Sequence, residues 1–123
     1  MTEKEKFIEE LKARTKGLAV DVINFCELLE YKKATSVITN QLIRCATSVG
    51  ANYRAACRAR SKQEFFSKMC IVVEECDETE YWLEIIEKTN LSRNEKLLNN
   101  LKTEANEITK IMTKAKNTIY ERR

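Results

Sequence analysis

An all-α fold is the architecture this sequence predicts: an up-down-up-down antiparallel four-helix bundle in a single domain spanning residues 1–123. Three observations carry it. There is no proline and there are only two glycines in 123 residues, where average usage gives about six prolines. Apolar residues recur at three-and-four spacing in four successive runs. The breaks between runs are a few polar residues long, which forces consecutive helices to run antiparallel. With 43% hydrophobic and 33% charged residues, the chain belongs with folded rather than disordered sequences.

The first run, about Glu3 to Leu29, sets Leu11, Leu18, Val22, Phe25, Cys26 and Leu29 on one face. Gly17 weakens its middle, which makes Thr15 the expected start of its ordered part and leaves residues 1–10 expected to fray. Glu30 to Thr35 is polar and reads as a turn. The second run, about Ser36 to Ala59, repeats Ile38, Leu42, Cys45, Ala46, Val49, Tyr53 and Ala56. Gly50 inside it costs about 1 kcal/mol against alanine, so a neighbouring helix is expected to approach closely there. No phosphate-loop pattern surrounds it.

The third run opens on Ser61-Lys62-Gln63-Glu64, a capping-box pattern. Phe65, Met69, Val72, Cys76, Thr79, Leu83 and Ile86 then form an inward stripe through about Lys88. Asn90 is suited to the left-handed conformation that ends helices. A second box, Ser92-Arg93-Asn94-Glu95, is expected to start the last helix. Its stripe is Leu97 (or Leu98), Leu101, Ala105, Ile108, Met112, Ala115 and Ile119.

What is missing narrows the function. Without histidine there is no Ser-His-Asp or Cys-His nucleophile system, no His-ligated zinc and no imidazole acid–base group. The longest uncharged stretch, Ala34 to Ile43, is ten residues, about half of what a membrane span needs. The charged first residues precede no apolar run, so no signal peptide is read and a cytoplasmic protein is expected. Cys26, Cys45, Cys57, Cys70 and Cys76 are separated by 19, 12, 13 and 6 positions. That spacing fits neither a zinc ribbon nor a disulfide framework. Cys26, Cys45 and Cys76 fall on apolar stripes and read as small hydrophobes. Cys57, between Arg54 and Arg58, is a redox candidate through a lowered pKa.

The net charge of +3 hides a segregation. From Tyr31 to Gln63 there are seven bases and no acid; from Glu64 to Glu95 there are nine acids and three bases. Arg54, Arg58, Arg60 and Lys62 gather where the second helix turns into the third. Arg54 and Arg58, four apart, hold like charges on one face. That clustering suits phosphate, which the guanidinium fork matches, although cations are also favoured near a helix C-terminus. In the acidic block, Glu74, Glu75, Asp77, Glu78, Glu80 and Glu84 are nominal metal ligands. A bundle di-iron site requires Glu-x-x-His, so no metal site is read. Glu75 and Thr79 flank the apolar stripe and are expected to be buried and bonded to the second helix, with Asn52 and Tyr53 as partners.

The run Thr47-Ser48-Val49-Gly50-Ala51-Asn52-Tyr53, continuing through Ala56, Arg58, Ala59 and Ser61, and the later Glu75-Cys76-Asp77-Glu78-Thr79-Glu80-Tyr81-Trp82-Leu83 carry a family resemblance. Together with Phe65 and Lys68 they resemble the four-helix-bundle proteins encoded in intervening sequences of bacterial 23S ribosomal RNA genes. That family is itself similar to the accessory protein of diversity-generating retroelements. The resemblance implies a homo-pentamer with no established enzyme activity, RNA or DNA binding, and a reverse transcriptase as a candidate protein partner. It places basic positions at Arg44, Arg54, Arg58 and Lys68, and a structural signature at Gly50, Asn52, Tyr53, Glu75, Thr79, Tyr81 and Trp82.

Two functions follow. One is a non-enzymatic nucleic-acid-binding bundle using Arg44, Arg54, Arg58, Arg60, Lys62 and Lys68 on phosphates, with no cofactor. Few aromatics interleave with these cations, so contacts are expected to be salt-dependent and weakly sequence-specific. The other is an oligomeric scaffold whose basic face meets the acidic helix of the next subunit. An enzyme would need a nucleophile–base pair, a phosphate loop or a metal motif, and the sequence shows none.

Overall fold

The computed structural model of the chain describes residues 1–121, and the side chains of residues 1–118. Four helices follow in order: α1 (Glu3–Glu27), α2 (Thr35–Cys57), α3 (Lys62–Lys88) and α4 (Glu95–Glu121). Each packs on its two neighbours round the ring, α1 on α2, α2 on α3, α3 on α4 and α4 back on α1. This is the four-helix bundle that the periodicity predicts. The four apolar stripes converge as one core; Val22, Leu42, Val49, Met69, Val72, Leu83, Ile108 and Met112 are fully buried within it. At the ambiguous start of the α4 stripe, Leu98 is the buried position and Leu97 only packs against it. Ile119 lies outside the described side chains.

Helix starts follow their caps. Thr2 accepts the Glu5 N–H through Oγ1 at 3.1 Å, so α1 begins at Glu3 rather than near Thr15. Burial of Leu11 and an ion pair from Arg14 to α4 hold this early portion in helix despite Gly17. Ser61 caps α3 by accepting the Glu64 N–H at 3.0 Å, as its box predicts. The second box is corrected by two positions. Asn94, not Ser92, caps α4: Asn94 Oδ1 accepts the Leu97 N–H at 3.0 Å, while Ser92 Oγ accepts the Asn94 N–H.

The bundle's two ends differ. At one end Asn90 takes φ 56°. The Asn90 and Leu91 N–H groups then return to the Glu87 and Ile86 carbonyls, closing α3 with satisfied acceptors. Leu91 is buried, and its carbonyl accepts the Glu30 N–H, tying the α3–α4 loop to the α1–α2 loop. Thr35 braces the same corner, donating to the Glu30 carbonyl at 2.9 Å. At the other end the ring is less closed. The first turns of α1 and the last turns of α4 stand apart and leave a groove between them.

At Gly50, α1 approaches α2 closely. A Cβ built there would sit 3.1 Å from Thr15 Oγ1 and 3.3 Å from Thr15 Cβ. Thr15 is itself fully buried, its hydroxyl turned onto the Leu11 carbonyl at 2.9 Å. The close approach expected of this glycine is therefore present. No helix among the described residues is long and apolar enough to cross a membrane.

Candidate functional site

The structure places the six basic candidates in two groups. Arg44 lies on the outer face of α2, and α3 crosses in front of it. Its guanidinium bonds Glu75 at 3.2 Å and also Glu78, which in turn accepts from the Trp82 indole N–H at 3.0 Å. Arg44 is thus committed to an α2–α3 ion network within the chain. Glu75 is half-buried on Arg44, and Thr79 is buried 3.4 Å from Cys45 Sγ while donating to the Glu75 carbonyl at 2.8 Å. The expected partners Asn52 and Tyr53 are corrected. Antiparallel packing puts residues 44 and 45 level with this part of α3, and Asn52 two turns on bonds its own Ser48 carbonyl instead.

The other group sits at the α2–α3 corner. Arg54 and Arg58 are exposed one turn apart at the end of α2, followed by exposed Arg60 and Lys62 and half-buried Lys68. Arg60 reaches Glu64 at 3.7 Å in a highly exposed pair of little energetic weight. Among the described residues no carboxylate pairs with Arg54, Arg58, Lys62 or Lys68.

The groove opens beside this corner. It encloses about 1030 Å³. Phe7, Ile8, Phe65 and Ile111 supply apolar walls, over a floor that includes Ala56 and Tyr53. Lys4, Arg60, Lys62 and Lys114 rim it, and among the described residues no carboxylate lines it. Tyr53 is buried, so it forms floor rather than an exposed stacking face. Burial, then the neighbouring Cys57, pushes the Tyr53 phenol up from its ordinary pKa, keeping it neutral. Lys4, Phe7 and Lys114 were not read from the sequence as site residues, because they come from opposite ends of the chain. Their local traces are a Phe7-Ile8 pair ahead of the Leu11 stripe and a Lys110–Lys114 pair of like charges at i, i+4.

The cysteines form no disulfide: all five are free. Burial pushes the Cys76 thiol up to about 12 and the Cys26 thiol up to about 11, and also raises Cys45. Donation from Arg44, then from Trp82, holds the Glu78 carboxyl below its usual range. The signs follow by linkage. Raised thiols stabilise the fold below their unfolded value of 9.0, and that contribution is lost as pH climbs toward about 12. A lowered carboxyl stabilises it above 4.5 and is lost as pH falls below that value. Urea midpoints followed by circular dichroism should be level between these limits and fall on both sides. Arg44→Ala should make the acid limb shallower; an unchanged acid limb would dismiss the Arg44–Glu78 contribution.

Among the described residues no group of three or more Cys, Asp or Glu side chains is placed to hold a metal ion. What remains is an all-helical module whose surface is distinguished at one end, by a largely unpaired cationic corner and an apolar groove with a cationic rim. The chain belongs to the 23S rRNA-intervening sequence protein family, whose model matches residues 9–114. The family resemblance carried by the Gly50 and Trp82 blocks is thereby borne out. Among solved structures the chain is similar to a protein of unknown function from the S23 ribosomal protein family of Bacteroides thetaiotaomicron. The two are 30% identical with a TM-score of 0.80, over 89% of this chain and 97% of that one. No curated protein matches the chain.

Proposed function

We propose that this protein is a non-enzymatic, cytoplasmic, oligomeric bundle that binds RNA or DNA by phosphate contacts at its α2–α3 corner. The observation that carries this reading is that Arg54, Arg58 and Lys62 stand exposed together without carboxylate partners among the described residues. Like charges held this close cost stability unless an anion compensates them. Arginine's fork matches phosphate in two bonds, and at this corner only Arg60 has a carboxylate partner, Glu64, among the described residues. Contacts of this kind read charge rather than sequence.

The test is fluorescence anisotropy with labelled single-stranded and duplex oligonucleotides over a salt series. Log affinity should fall linearly with log salt, by about 0.9 per phosphate contacted on duplex. Absence of binding at low salt would overturn the proposal, as would affinity indifferent to salt.

A second reading has its own observation. Glu74, Asp77 and Glu84 are exposed along α3 together with Ile71 and Tyr81, an acidic and apolar strip suited to a cationic surface on another copy. A ring of identical subunits, five by the family resemblance, needs such unlike faces. Sizing in solution against salt separates the roles. If added salt dissolves the oligomer the charges serve assembly, and if it releases only nucleic acid they serve binding.

A further inference from the structure

We infer that the groove between the first turns of α1 and the last turns of α4 receives unstacked bases of a single-stranded segment whose phosphates lie on its cationic rim. The inference rests on the nucleic-acid reading above and adds to it a base-contacting surface apart from the Arg54–Arg58 corner. Its chemistry is divided in two. The walls are apolar and include Phe7, 47% exposed, and half-buried Phe65. The rim carries Lys4, Arg60, Lys62 and Lys114 on several sides, without a lining carboxylate among the described residues. A ligand that fits both parts is flat and apolar in its body and anionic along its edge. A single strand has that form, because a base offers a π-face to an aromatic ring while its phosphate remains within reach of a lysine.

Dimensions favour bases over an acidic amphipathic helix. The α1 wall runs from Lys4 to Ile8 and the α4 wall from Ile111 to Thr118, about 6 Å and about 10 Å at the helical rise of 1.5 Å per residue. A helix docked through anchors at i, i+3, i+4 and i+7 needs about 10 Å of wall, more than α1 supplies. An unstacked base laid on a single ring such as Phe7 needs no such length. A duplex keeps its bases paired and cannot insert them, so it is left with the corner.

Two variants and one altered ligand test this. The probes are an oligouridylate of about a dozen nucleotides, the same length of abasic sugar–phosphate chain, and a duplex. Phe7→Ala removes an exposed ring, and helicity by circular dichroism should be unchanged. The variant should bind oligouridylate about tenfold more weakly, the loss of roughly one stacked base, with duplex affinity unaltered. The abasic chain should bind the unmodified protein at least about tenfold more weakly than oligouridylate. Arg54→Ala with Arg58→Ala should weaken all three ligands. Equal affinity for oligouridylate and abasic chain would overturn the base reading while the phosphate corner stands. A Phe7→Ala variant altered only in oligomer size would assign the groove to a second copy and overturn it too. Failure of every ligand to bind at low salt would remove the underlying function as well.

Discussion

Replacing Arg54 and Arg58 together with alanine should lower duplex affinity about sixtyfold at about 0.1 M salt. Each phosphate contact contributes about 0.9 to the slope of log affinity against log salt. Relative to 1 M, that is about nine-tenths of a decade per contact at this concentration, so two contacts account for the loss. The salt slope should fall by about 1.8 at the same time. Both side chains are exposed and neither has a carboxylate partner among the described residues, so helicity and thermal midpoint should hold or rise slightly. Arg44→Ala is the informative contrast. Its guanidinium is already bound to Glu75 and Glu78, so it should cost little affinity and instead affect acid stability. A double variant losing less than about threefold, or keeping its slope, would remove these two arginines from the interface.

The second large effect is on stability. Gly50→Leu should destabilise the fold by about 3 kcal/mol, lowering the thermal midpoint by about 12 °C or more for a domain of this size. Even a single Cβ there comes within 3.1 Å of Thr15 Oγ1, and Thr15 cannot retreat because it is fully buried with its hydroxyl on the Leu11 carbonyl. Behind it at 3.5 Å is the α1 backbone. The added carbons must therefore push two packed helices apart. Gly17→Ala provides the control, since nothing lies within 4 Å of a Cβ built at that position. It should stabilise by about 1 kcal/mol through helix propensity alone. A Gly50→Leu midpoint at or above that of the unmodified protein would show that the close approach carries no constraint.

Features that depend on periodicity and local turn chemistry were legible in the sequence. The Ile38 to Ala56 stripe of α2 is buried at every position read from its spacing, because a helix repeats its inward face every three or four residues whatever surrounds it. Asn90 and Ser61 were readable for the same local reason: each acts within a turn of itself. The α1 start was misread because Gly17's propensity cost is small beside the tertiary contacts of Leu11 and Arg14, which spacing along α1 does not reveal. Ser92 and Asn94 are both competent caps two positions apart, and pattern alone does not choose between them.

The candidate site was legible only in part, and the division again follows sequence distance. The cluster from Arg54 to Lys62 is contiguous and could be seen as charge. That Arg44 differs from the others depends on Glu75 and Glu78, more than thirty residues away in the chain. The groove joins Lys4 and Phe7 to Lys114 and Thr118, a meeting that exists only because α1 and α4 close the ring. Segregated charge along the sequence did not distinguish internal pairing from free surface. In the folded chain both occur, the first along the middle of α2 and α3 and the second at the corner.

Two walls of the groove are the first turns of α1 and the late turns of α4, and this bears on how the protein should be prepared. Lys4 stands three residues from Met1, and Thr118 three residues from the last described position. A purification tag joined directly ahead of Met1 is therefore tethered a few residues from Lys4 on the cationic rim. A flexible acidic epitope would face it at an effective concentration of millimolar order, acting as a built-in competitor without any specific affinity of its own. Binding measured on such a fusion would report displacement of the tag as much as capture of the ligand. Removing the tag, or separating it by a linker too stiff to fold back, is thus a precondition for measuring affinity at this end of the bundle.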